Sequence, residues 1–384
     1  MIYLDNAATS FHKPDCVARA VVEAMQQAGN SGRGSSGEAM EASRIIFDTR
    51  CKIAQLFDVE GPECVAFTAN ATEALNTALF GILHPEREKV HAICTEMDHN
   101  SVLRPLYALE KRGMDLTILP ADGKGRISVD DLEVAIRPET KAIVCTHASN
   151  LTGNCNDIRS IGAIARKHGI LFIVDAAQTA GVFPISMKKD QIDILCFSGH
   201  KGLMGPQGTG AICVRPGVLV EPLKVGGSGI LTFQKEHPSD MPESLEAGTL
   251  NSHGIAGLRA SLEWIQETGI HTIRKREQML MWRFYDQVKK IPGVTVYGDF
   301  SQEDRSPVVS LNLEGEGSAE VGMILGEDYG ISVRSGGHCA PLMHKALGTE
   351  KTGAVRFSFS YFNTEEEIDA AAAALGELAA GIED

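Results

Sequence analysis

The chain has 384 residues, and its 36 Lys and Arg against 50 Asp and Glu give a formal net charge of −14 at neutral pH. This acidic balance, without a Lys- or Arg-rich block, argues against a surface that binds nucleic acid or anionic membranes. No apolar run approaches the ~20 residues that a membrane span requires, and the opening sequence MIYLDN lacks the basic flank and apolar stretch of a signal peptide. We therefore expect a cytoplasmic protein with no nucleic-acid or membrane partner.

Short apolar strands alternate with amphipathic helices in the first two thirds of the chain. The pattern predicts strands over Val65–Phe67, Val90–Thr95, Leu116–Pro120, Lys141–Thr146, Ile170–Asp175, Ile192–Phe197 and Gly210–Val214. It predicts helices over Ser101–Arg112 and over Asp157–His168, the second opening at an acidic N-cap. Continuous apolar strands separated by helices are typical of a mostly parallel sheet covered on both faces, so we predict an α/β domain.

After about Asn251 the pattern changes to a smaller α+β layer. Helices are predicted over about 253–268, 270–291 and 318–327 and from Thr364 onward, with strands over Val294–Tyr297, Val308–Leu313, Ile331–Arg334 and Val355–Ser360. We expect a large domain over 13–252, with an N-terminal segment over 1–12 and a small C-terminal domain over 253–384.

Nine cysteines are scattered along the chain without a Cys-x-x-Cys pair, which argues against a disulfide framework and against a four-thiolate zinc site. Those inside apolar runs are interpreted as small buried core residues: Cys94, Cys145, Cys196 and Cys213. Cys339 differs, because it follows Arg334 and His338 in a Gly-rich segment. A nearby cation and imidazole lower the pKa of a thiol, so Cys339 is a candidate nucleophile.

Asp175 ends one apolar strand, and Lys201 follows the next in a Gly-rich loop. Alone, a strand-end Asp is more often a cap or turn residue, and a Lys in a Gly-rich loop usually faces solvent. Together they have a specific chemical meaning. An amine at the mouth of a sheet can form a Schiff base, and a carboxylate there can keep a pyridinium nitrogen protonated. The pair would therefore suit pyridoxal phosphate as a cofactor.

A phosphate anchor for that cofactor is predicted at Thr68–Asn76, which follows an apolar strand and opens a helix. Small residues and a hydroxyl there leave backbone N–H groups free for an anion, although Thr72 as an ordinary helix cap explains the same residues. The glycine-rich nucleotide motifs are absent, and no close ligand cluster indicates a metal site. His99, just after a strand, is a lone imidazole that could be structural or could stack on a cofactor ring.

Taken in order, these residues resemble the cysteine desulfurase/selenocysteine lyase family, within the class V aminotransferase group of fold-type I pyridoxal phosphate enzymes. The resemblance covers nearly the whole chain and rests on Tyr3–Thr9, Glu96–Ser101, Asp175–Gln178, Ser198–Lys201, Glu246–Thr249, Arg356–Ser358 and Asn363–Thr364. It implies an α/β large domain with a mostly parallel sheet of the seven-stranded type, a smaller α+β domain, pyridoxal 5'-phosphate as cofactor and a homodimer.

The resemblance also assigns roles to individual positions. Lys201 would form the Schiff base, Asp175 would pair with the pyridine nitrogen and His99 would stack on the ring. The other implied cofactor contacts are Asn150 and Gln178 at the ring oxygen, Ala71, Thr72, Ser198 and His200 at the phosphate, and Thr249 from the second subunit. The substrate carboxylate would be held by Arg356, with Asn150 and Arg334 as further substrate contacts, and a guanidinium fork suits that geometry.

The segment Arg334–Ala340 resembles the short cysteine loop of group II desulfurases and puts Cys339 in the position of the nucleophile. Two positions depart from that group: Gly337 and Gly32 stand where histidines are common. Both differences bear on how the Cys339 thiol is activated and on which acceptor protein docks at the loop. We expect Arg334 and His338 to favour the thiolate electrostatically.

The expected reaction converts L-cysteine to L-alanine, with Lys201 removing the Cα proton, and leaves a persulfide on Cys339 for an acceptor protein. Three alternatives stay open. The chain could be a selenocysteine lyase that releases selenium from L-selenocysteine without requiring Cys339, or a class V aminotransferase with a 2-oxo acid as co-substrate. The third alternative, a non-catalytic regulator, is disfavoured because the candidate catalytic residues are retained together.

Overall fold

The structure is a computed structural model that describes residues 1–28 and 37–381. Its strands are β1 (Ile2–Tyr3), β2 (Val65–Thr68), β3 (His91–Thr95), β4 (Asp115–Leu119), β5 (Thr140–Thr146), β6 (Leu171–Asp175), β7 (Ile194–Ser198), β8 (Gly210–Val214), β9 (Val294–Tyr297), β10 (Val308–Leu313), β11 (Ile331–Ser332), β12 (Arg334–Gly336) and β13 (Ala354–Ser358). Its α-helices are α1 (Asp15–Gln27), α2 (Gly37–Phe57), α3 (Ala71–Ile82), α4 (Asn100–Glu110), α5 (Val129–Val134), α6 (Ile158–His168), α7 (Ser252–Thr268), α8 (Ile270–Val288), α9 (Ser318–Glu327), α10 (Pro341–Ala346) and α11 (Glu365–Gly381).

A seven-stranded sheet forms the large part of the molecule, with the strand order β2-β8-β7-β6-β5-β3-β4. Strand β8 runs antiparallel to both of its neighbours, and the pairs from β7 to β4 are parallel. The predicted α/β class with a mostly parallel sheet is therefore confirmed. In an open sheet of this kind, ligands bind beyond the carboxyl ends of the strands.

Apolar side chains cover both faces of this sheet, as the uninterrupted apolar strands predict. In β6, Phe172 and Val174 belong to the core on one face, whereas Ile173 belongs to the core on the other. The alternation follows from the two-residue period of a strand. The four cysteines interpreted as core residues are all buried, which confirms that interpretation.

The smaller sheet has the order β12-β13-β10-β9 and is antiparallel throughout. It packs with α8, α9 and α11 around a third apolar core. Strand β1, which the sequence patterns do not assign, pairs in parallel with β11. These two strands form a sheet of their own, and an isolated bridge joins Asp5 to Ser358 of β13. The N-terminal residues are thereby attached to the smaller α+β layer.

The domain boundary predicted between residues 252 and 253 stays a prediction. Helix α7 begins there, and Ile255, Leu258 and Leu262 pack in the same core as one face of the large sheet. These contacts favour a boundary at the end of α7 over one at its beginning.

Several elements differ from the sequence patterns. The single strand expected over Ile331–Arg334 is two strands, because β11 pairs with β1 whereas β12 pairs with β13. Within the described ranges, helices α1, α2, α5 and α10 lie where the patterns assign none. Helix α3 begins at Ala71 with Asn70 as its N-cap, since the Asn70 side chain accepts a hydrogen bond from the Glu73 N–H. The interpretation of Thr72 as the cap is therefore wrong.

Substitution of Gly162 by alanine tests the packing of α6 against the large sheet. A methyl group there would lie 2.0 Å from the Asp190 carbonyl oxygen and 3.3 Å from Phe172. We expect Gly162→Ala to lower the free energy of unfolding by about 1–3 kcal/mol through overpacking, measured by urea denaturation.

Gly376 in α11 is a matched control, because an added methyl group would meet no atom within 4 Å. Gly376→Ala should raise stability by about 0.5–1 kcal/mol through helix propensity. Equal stability of Gly162→Ala and the wild type would contradict the tight contact.

Candidate active site

A cavity of about 270 Å³ lies at the carboxyl ends of β5, β6 and β7 and at the N-terminus of α3. It brings together most of the residues that the sequence singles out. Its lining consists of Asn70, Ala71, Thr72, His99, Ser101, Thr146, Asn150, Asp175, Ala177, Gln178, Ser198, His200 and Lys201. Residues distant in the sequence meet here because parallel strands end at one edge of the sheet.

Lys201 presents its side-chain amine to this cavity. Burial, together with the nearby guanidinium groups of Arg356 and Arg334, lowers the pKa of Lys201 to about 8, while Asp175 opposes the shift. About a tenth of the amine is therefore the free base at pH 7 and about half at pH 8. The free base is the form that can attack an aldehyde or accept a proton.

Asp175 ends β6 and is buried, as predicted for a strand-end ligand. Its Oδ1 accepts a hydrogen bond of 2.9 Å from the Ala177 N–H. Burial raises the pKa of Asp175, while the charge of Lys201 acts in the opposite direction. The carboxyl group thus lies in the same cavity as the amine and has oxygen capacity left for a proton donor.

The N-terminus of α3 forms one end of the cavity. The Ala71 N–H donates to Ser198 Oγ at 2.9 Å, and the Thr72 and Ser101 hydroxyls lie 2.8 Å apart. Two residues after Ser198, His200 Nδ1 lies 3.0 Å from the Thr9 hydroxyl. Hydroxyls and N–H groups at the start of a twelve-residue helix form a favourable environment for a phosphate.

His99 caps α4: its Nδ1 accepts a hydrogen bond of 3.0 Å from the Ser101 N–H. Burial lowers the pKa of His99 to about 4, and the charges of Lys201, Arg334 and Arg356 add to this effect. The ring is therefore neutral at physiological pH, and its proton resides on Nε2.

Asp98 supports this end of the site, and the sequence patterns did not single it out. Its carboxylate is fully buried and accepts bonds from Thr95 N at 2.7 Å, from the Thr95 hydroxyl at 2.9 Å and from Thr146 N at 2.6 Å. It thereby joins the ends of β3 and β5. The T-x-x-D spacing of Thr95 and Asp98 is the local signal that could have identified it.

Asn150 and Gln178 both line the cavity. Gln178 Nε2 donates to the Ala7 carbonyl at 3.1 Å. Asn150 Nδ2 donates to the His338 carbonyl at 2.7 Å, whereas Asn150 Oδ1 is buried and has no hydrogen-bond partner among the described residues. An orphaned buried acceptor of this kind is costly unless a ligand supplies a donor.

Arg356 is only 2% exposed. Its Nη2 donates to Asp5 Oδ1 at 2.7 Å and its Nη1 to the Asn150 carbonyl at 3.0 Å, while Nε has no partner in the described part of the chain. Arg334 lies directly opposite Arg356 across the β12–β13 pair and is exposed. No local sequence signal identifies Asp5 as a partner of Arg356, because 351 positions separate the two.

Cys339 is exposed and is not among the residues that line the cavity, but its loop is attached to residues beside it. The Cys339 carbonyl accepts from the Asn100 N–H at 2.9 Å, and the preceding carbonyl accepts from Asn150. His338 and Cys339 both have left-handed backbones, with φ of +49° and +55°. Such conformations cost about 1–3 kcal/mol per non-Gly residue, so these bonds hold the loop in a strained conformation.

His338 does not carry the positive charge expected of it. Burial lowers the pKa of His338 to about 3, and its Nε2 donates to the Arg334 carbonyl at 3.0 Å. The expectation that His338 stabilises a thiolate through charge is therefore wrong. Gly337 lies in the described loop, and a side chain there would meet no atom within 4 Å; Gly32 lies outside the described residues.

Thr249 lies away from Lys201. It lines a separate cavity of about 190 Å³ together with Thr68, Glu73 and Lys224. Within its own chain, Thr249 is thus not one of the groups around the α3 N-terminal cavity.

Neither a membrane span nor a metal cluster is found in the described part of the chain. No helix in the ranges 1–28 and 37–381 is both long and apolar enough to cross a bilayer. Over the same ranges, no group of three or more His, Cys, Asp or Glu side chains is placed to hold a metal ion.

Comparisons with known proteins agree with this geometry. A sequence model of the family described as Aminotransferase class-V matches residues 2–371. The chain is 34% identical over 384 residues to a probable cysteine desulfurase from Methanothermobacter thermautotrophicus, with 98% of this chain and 94% of the relative covered.

Solved structures give the same result. The apo structure of cysteine desulfurase from Thermococcus onnurineus NA1 has a TM-score of 0.92 at 33% identity, with 99% of this chain and 95% of that chain covered. The cysteine desulfurase CsdA from Escherichia coli, in an S-sulfonic acid form, has a TM-score of 0.86 at 30% identity, with the same coverage of 99% and 95%. Because these similarities span nearly the whole chain, the protein belongs to the class-V aminotransferase family and, within it, to the cysteine desulfurases.

Proposed function

We propose that this chain is a pyridoxal phosphate-dependent cysteine desulfurase that converts L-cysteine to L-alanine and retains the sulfur as a persulfide on Cys339. One observation carries the proposal. The amine of Lys201 and the carboxyl of Asp175 share a single cavity, and the loop of Cys339 is hydrogen-bonded to Asn100 and Asn150 at its border.

The residues present fit the cofactor. Lys201 offers an amine to the cavity, and Asn150 Oδ1 is a buried acceptor that lacks a donor among the described residues. Asp175 would pair with the ring nitrogen, and His99, Asn150 and Gln178 would surround the ring. The phosphate would be held by Ala71, Thr72, Ser198 and His200 at the start of α3.

Bound pyridoxal phosphate would supply an aldehyde for amines and a ring that takes up the electron pair released at the substrate Cα. Lys201 as the free base would accept the Cα proton. Asp175, which lies buried in the same cavity, would as a carboxylate keep a proton on the ring nitrogen. His99 is neutral and carries its proton on Nε2, so it contacts the site as an uncharged donor.

Arg356 would bind the substrate carboxylate. Two of its nitrogens already hold Asp5 and the Asn150 carbonyl, which fixes the plane of the guanidinium. The guanidinium has five N–H donors, so Nε–H, which has no partner among the described residues, and the second N–H of each Nη remain as donors. A carboxylate at this position is favoured because charge-assisted bonds in a buried site are strong.

Sulfur transfer would be carried out by Cys339 as a thiolate. Its sulfur attacks the sulfur of the substrate, so the new S–S bond forms as the substrate Cβ–S bond breaks. L-cysteine and the Cys339 thiol thus become L-alanine and a Cys339 persulfide, with no external oxidant. The exposure of Cys339 supports delivery of the persulfide to an acceptor protein.

We also propose a homodimer. Thr249 lines a cavity separate from that of Lys201 in its own chain, which is consistent with a contribution to the phosphate site of a second subunit. All nine cysteines are free, which fits a reducing compartment such as the cytoplasm.

Substitution of Lys201 by alanine should abolish both activity and the visible absorbance of the bound cofactor, because the amine that anchors the aldehyde is removed. Absorbance spectra of the purified variant check this prediction. Lys188→Ala, which changes an exposed lysine, is the control and should leave the spectrum intact. An unchanged spectrum in Lys201→Ala would contradict the assignment.

The pH dependence of cofactor uptake follows from the lowered pKa of Lys201, about 8. Only the free base reacts, so the uptake rate of cofactor-free protein should rise about fivefold from pH 7 to pH 8 and level off above pH 9. Stopped-flow absorbance measures the rate. Asp175→Asn should shift the midpoint to lower pH, because the charge that opposes the shift is lost. A midpoint near the ordinary lysine pKa, about 10, would show that burial does not lower the pKa of this amine.

Substitution of Cys339 by alanine should lower sulfide release from L-cysteine by at least ~100-fold, while cysteine still perturbs the cofactor spectrum. Mass spectrometry should find one added sulfur on the Cys339 peptide of the wild type after cysteine treatment. Cys51→Ala, a half-buried cysteine on α2, is the matched control. Undiminished selenide release from L-selenocysteine by Cys339→Ala would favour the selenocysteine lyase alternative for that substrate.

A further inference from the structure

His338 occupies an unusual position next to the proposed nucleophile. It is 4% exposed, and it and Cys339 form two successive non-Gly residues with positive φ. Each is a conformation that L-residues rarely adopt. Strain of this kind persists only where the surroundings over-determine it.

Three hydrogen bonds hold His338 and Cys339 in this strained conformation. The His338 carbonyl accepts from Asn150 Nδ2 at 2.7 Å, and the Cys339 carbonyl accepts from the Asn100 N–H at 2.9 Å. The third bond closes the loop on itself, since His338 Nε2 donates to the Arg334 carbonyl at 3.0 Å. The loop is thus attached through its carbonyls to the cavity border and through the imidazole to its own start.

The ring of His338 is also packed. It lies nearly parallel to the ring of His344 from α10, with 5.8 Å between the centroids and 18° between the planes. His338 Nδ1 is buried and has no partner among the described residues. A neutral imidazole has one N–H, and His338 donates it to a carbonyl. The ring therefore has no proton to give to a reacting group.

We propose, on the basis of the function proposed above, that His338 is a positioning residue whose imidazole fixes the left-handed pair His338–Cys339 and hence the direction in which the Cys339 thiol leaves the backbone. It acts on the orientation of the thiol and not on its ionisation. The hydrogen bond from the Asn150 side chain to the His338 carbonyl connects the loop to the substrate site. Because the Asn150 carbonyl also accepts from Arg356, the loop and the residue proposed to bind the substrate carboxylate share one neighbour.

Two variants distinguish an effect on the orientation of the Cys339 thiol from an effect on its ionisation. His338→Asn keeps a residue that tolerates left-handed backbone but loses the bond to the Arg334 carbonyl and the ring stack. His338→Gly removes the strain together with the ring, so it tests the proposal even if the asparagine variant folds poorly. Gln191→Gly is the matched control, since Gln191 also has a positive φ, +55°, in the turn that precedes β7 and hence at the end of that strand opposite to the cavity.

The first measurement is the steady-state kinetics of the holoenzyme with L-cysteine. We expect both His338 variants to lower kcat by at least ~10-fold, with KM within about twofold and the cofactor spectrum unchanged. The Gln191→Gly control should leave kcat unchanged. Unchanged kcat in both His338 variants would overturn the proposal.

The second measurement is the rate at which iodoacetamide alkylates Cys339 as a function of pH, followed by peptide mass spectrometry without substrate. We expect the pH midpoint to be the same in the wild type and both variants, with a rate at least ~3-fold higher in the variants because the loop is released. A midpoint raised by about one unit, or slower alkylation, would overturn the proposal in favour of thiol activation by His338. If Cys339 of the wild type never gains a persulfide, the proposed function fails, yet the alkylation profiles still decide the role of His338.

Discussion

A single buried guanidinium joins parts of the chain that are far apart in sequence. Arg356, in the middle of the small sheet, binds Asp5 of the N-terminal segment and the carbonyl of Asn150 from the large sheet's edge. Burial of a charged group is costly unless it is paired and hydrogen-bonded. The relative placement of these three segments is therefore constrained by the need to satisfy one side chain, and the cysteine loop is attached to the same neighbour.

Several cations lie near the His99 end of the cavity, although the molecule as a whole is acidic. The chain carries a net charge of −14, yet Lys201, Arg334, Arg356 and Arg104 all act on His99 and help to keep it neutral. A group of cations near one end of a cavity attracts small anions to it. Phosphate, carboxylate and thiolate groups share this preference, so one electrostatic environment suits each of the species that the proposed reaction brings together.

Local sequence patterns predict much of the fold and of the candidate site. The rest depends on long-range contacts that leave no local pattern in the sequence. Apolar strands that end in Asp175 and precede Lys201 predict both the sheet and the edge at which the site lies, because the apolar pattern of a strand and the residues at its end are local properties of the sequence. The partnership of Asp5 with Arg356 has no local signal, since it depends on how β1 and β13 are brought together. The protonation state of His338 was predicted wrongly for a related reason. Its sequence neighbours suggested charge, whereas its burial beside His344 and Arg356 depends on the folded structure.

The attachment of the N-terminal segment has a consequence for the order of folding during synthesis. Strand β1 leaves the ribosome before its partner β11 and before the side chain that binds Asp5, which lies 351 positions later. Contacts of such large sequence separation close late because of the loop entropy involved. The large sheet can assemble while translation continues, whereas completion of the carboxylate-binding region must wait until the ribosome has released strand β13.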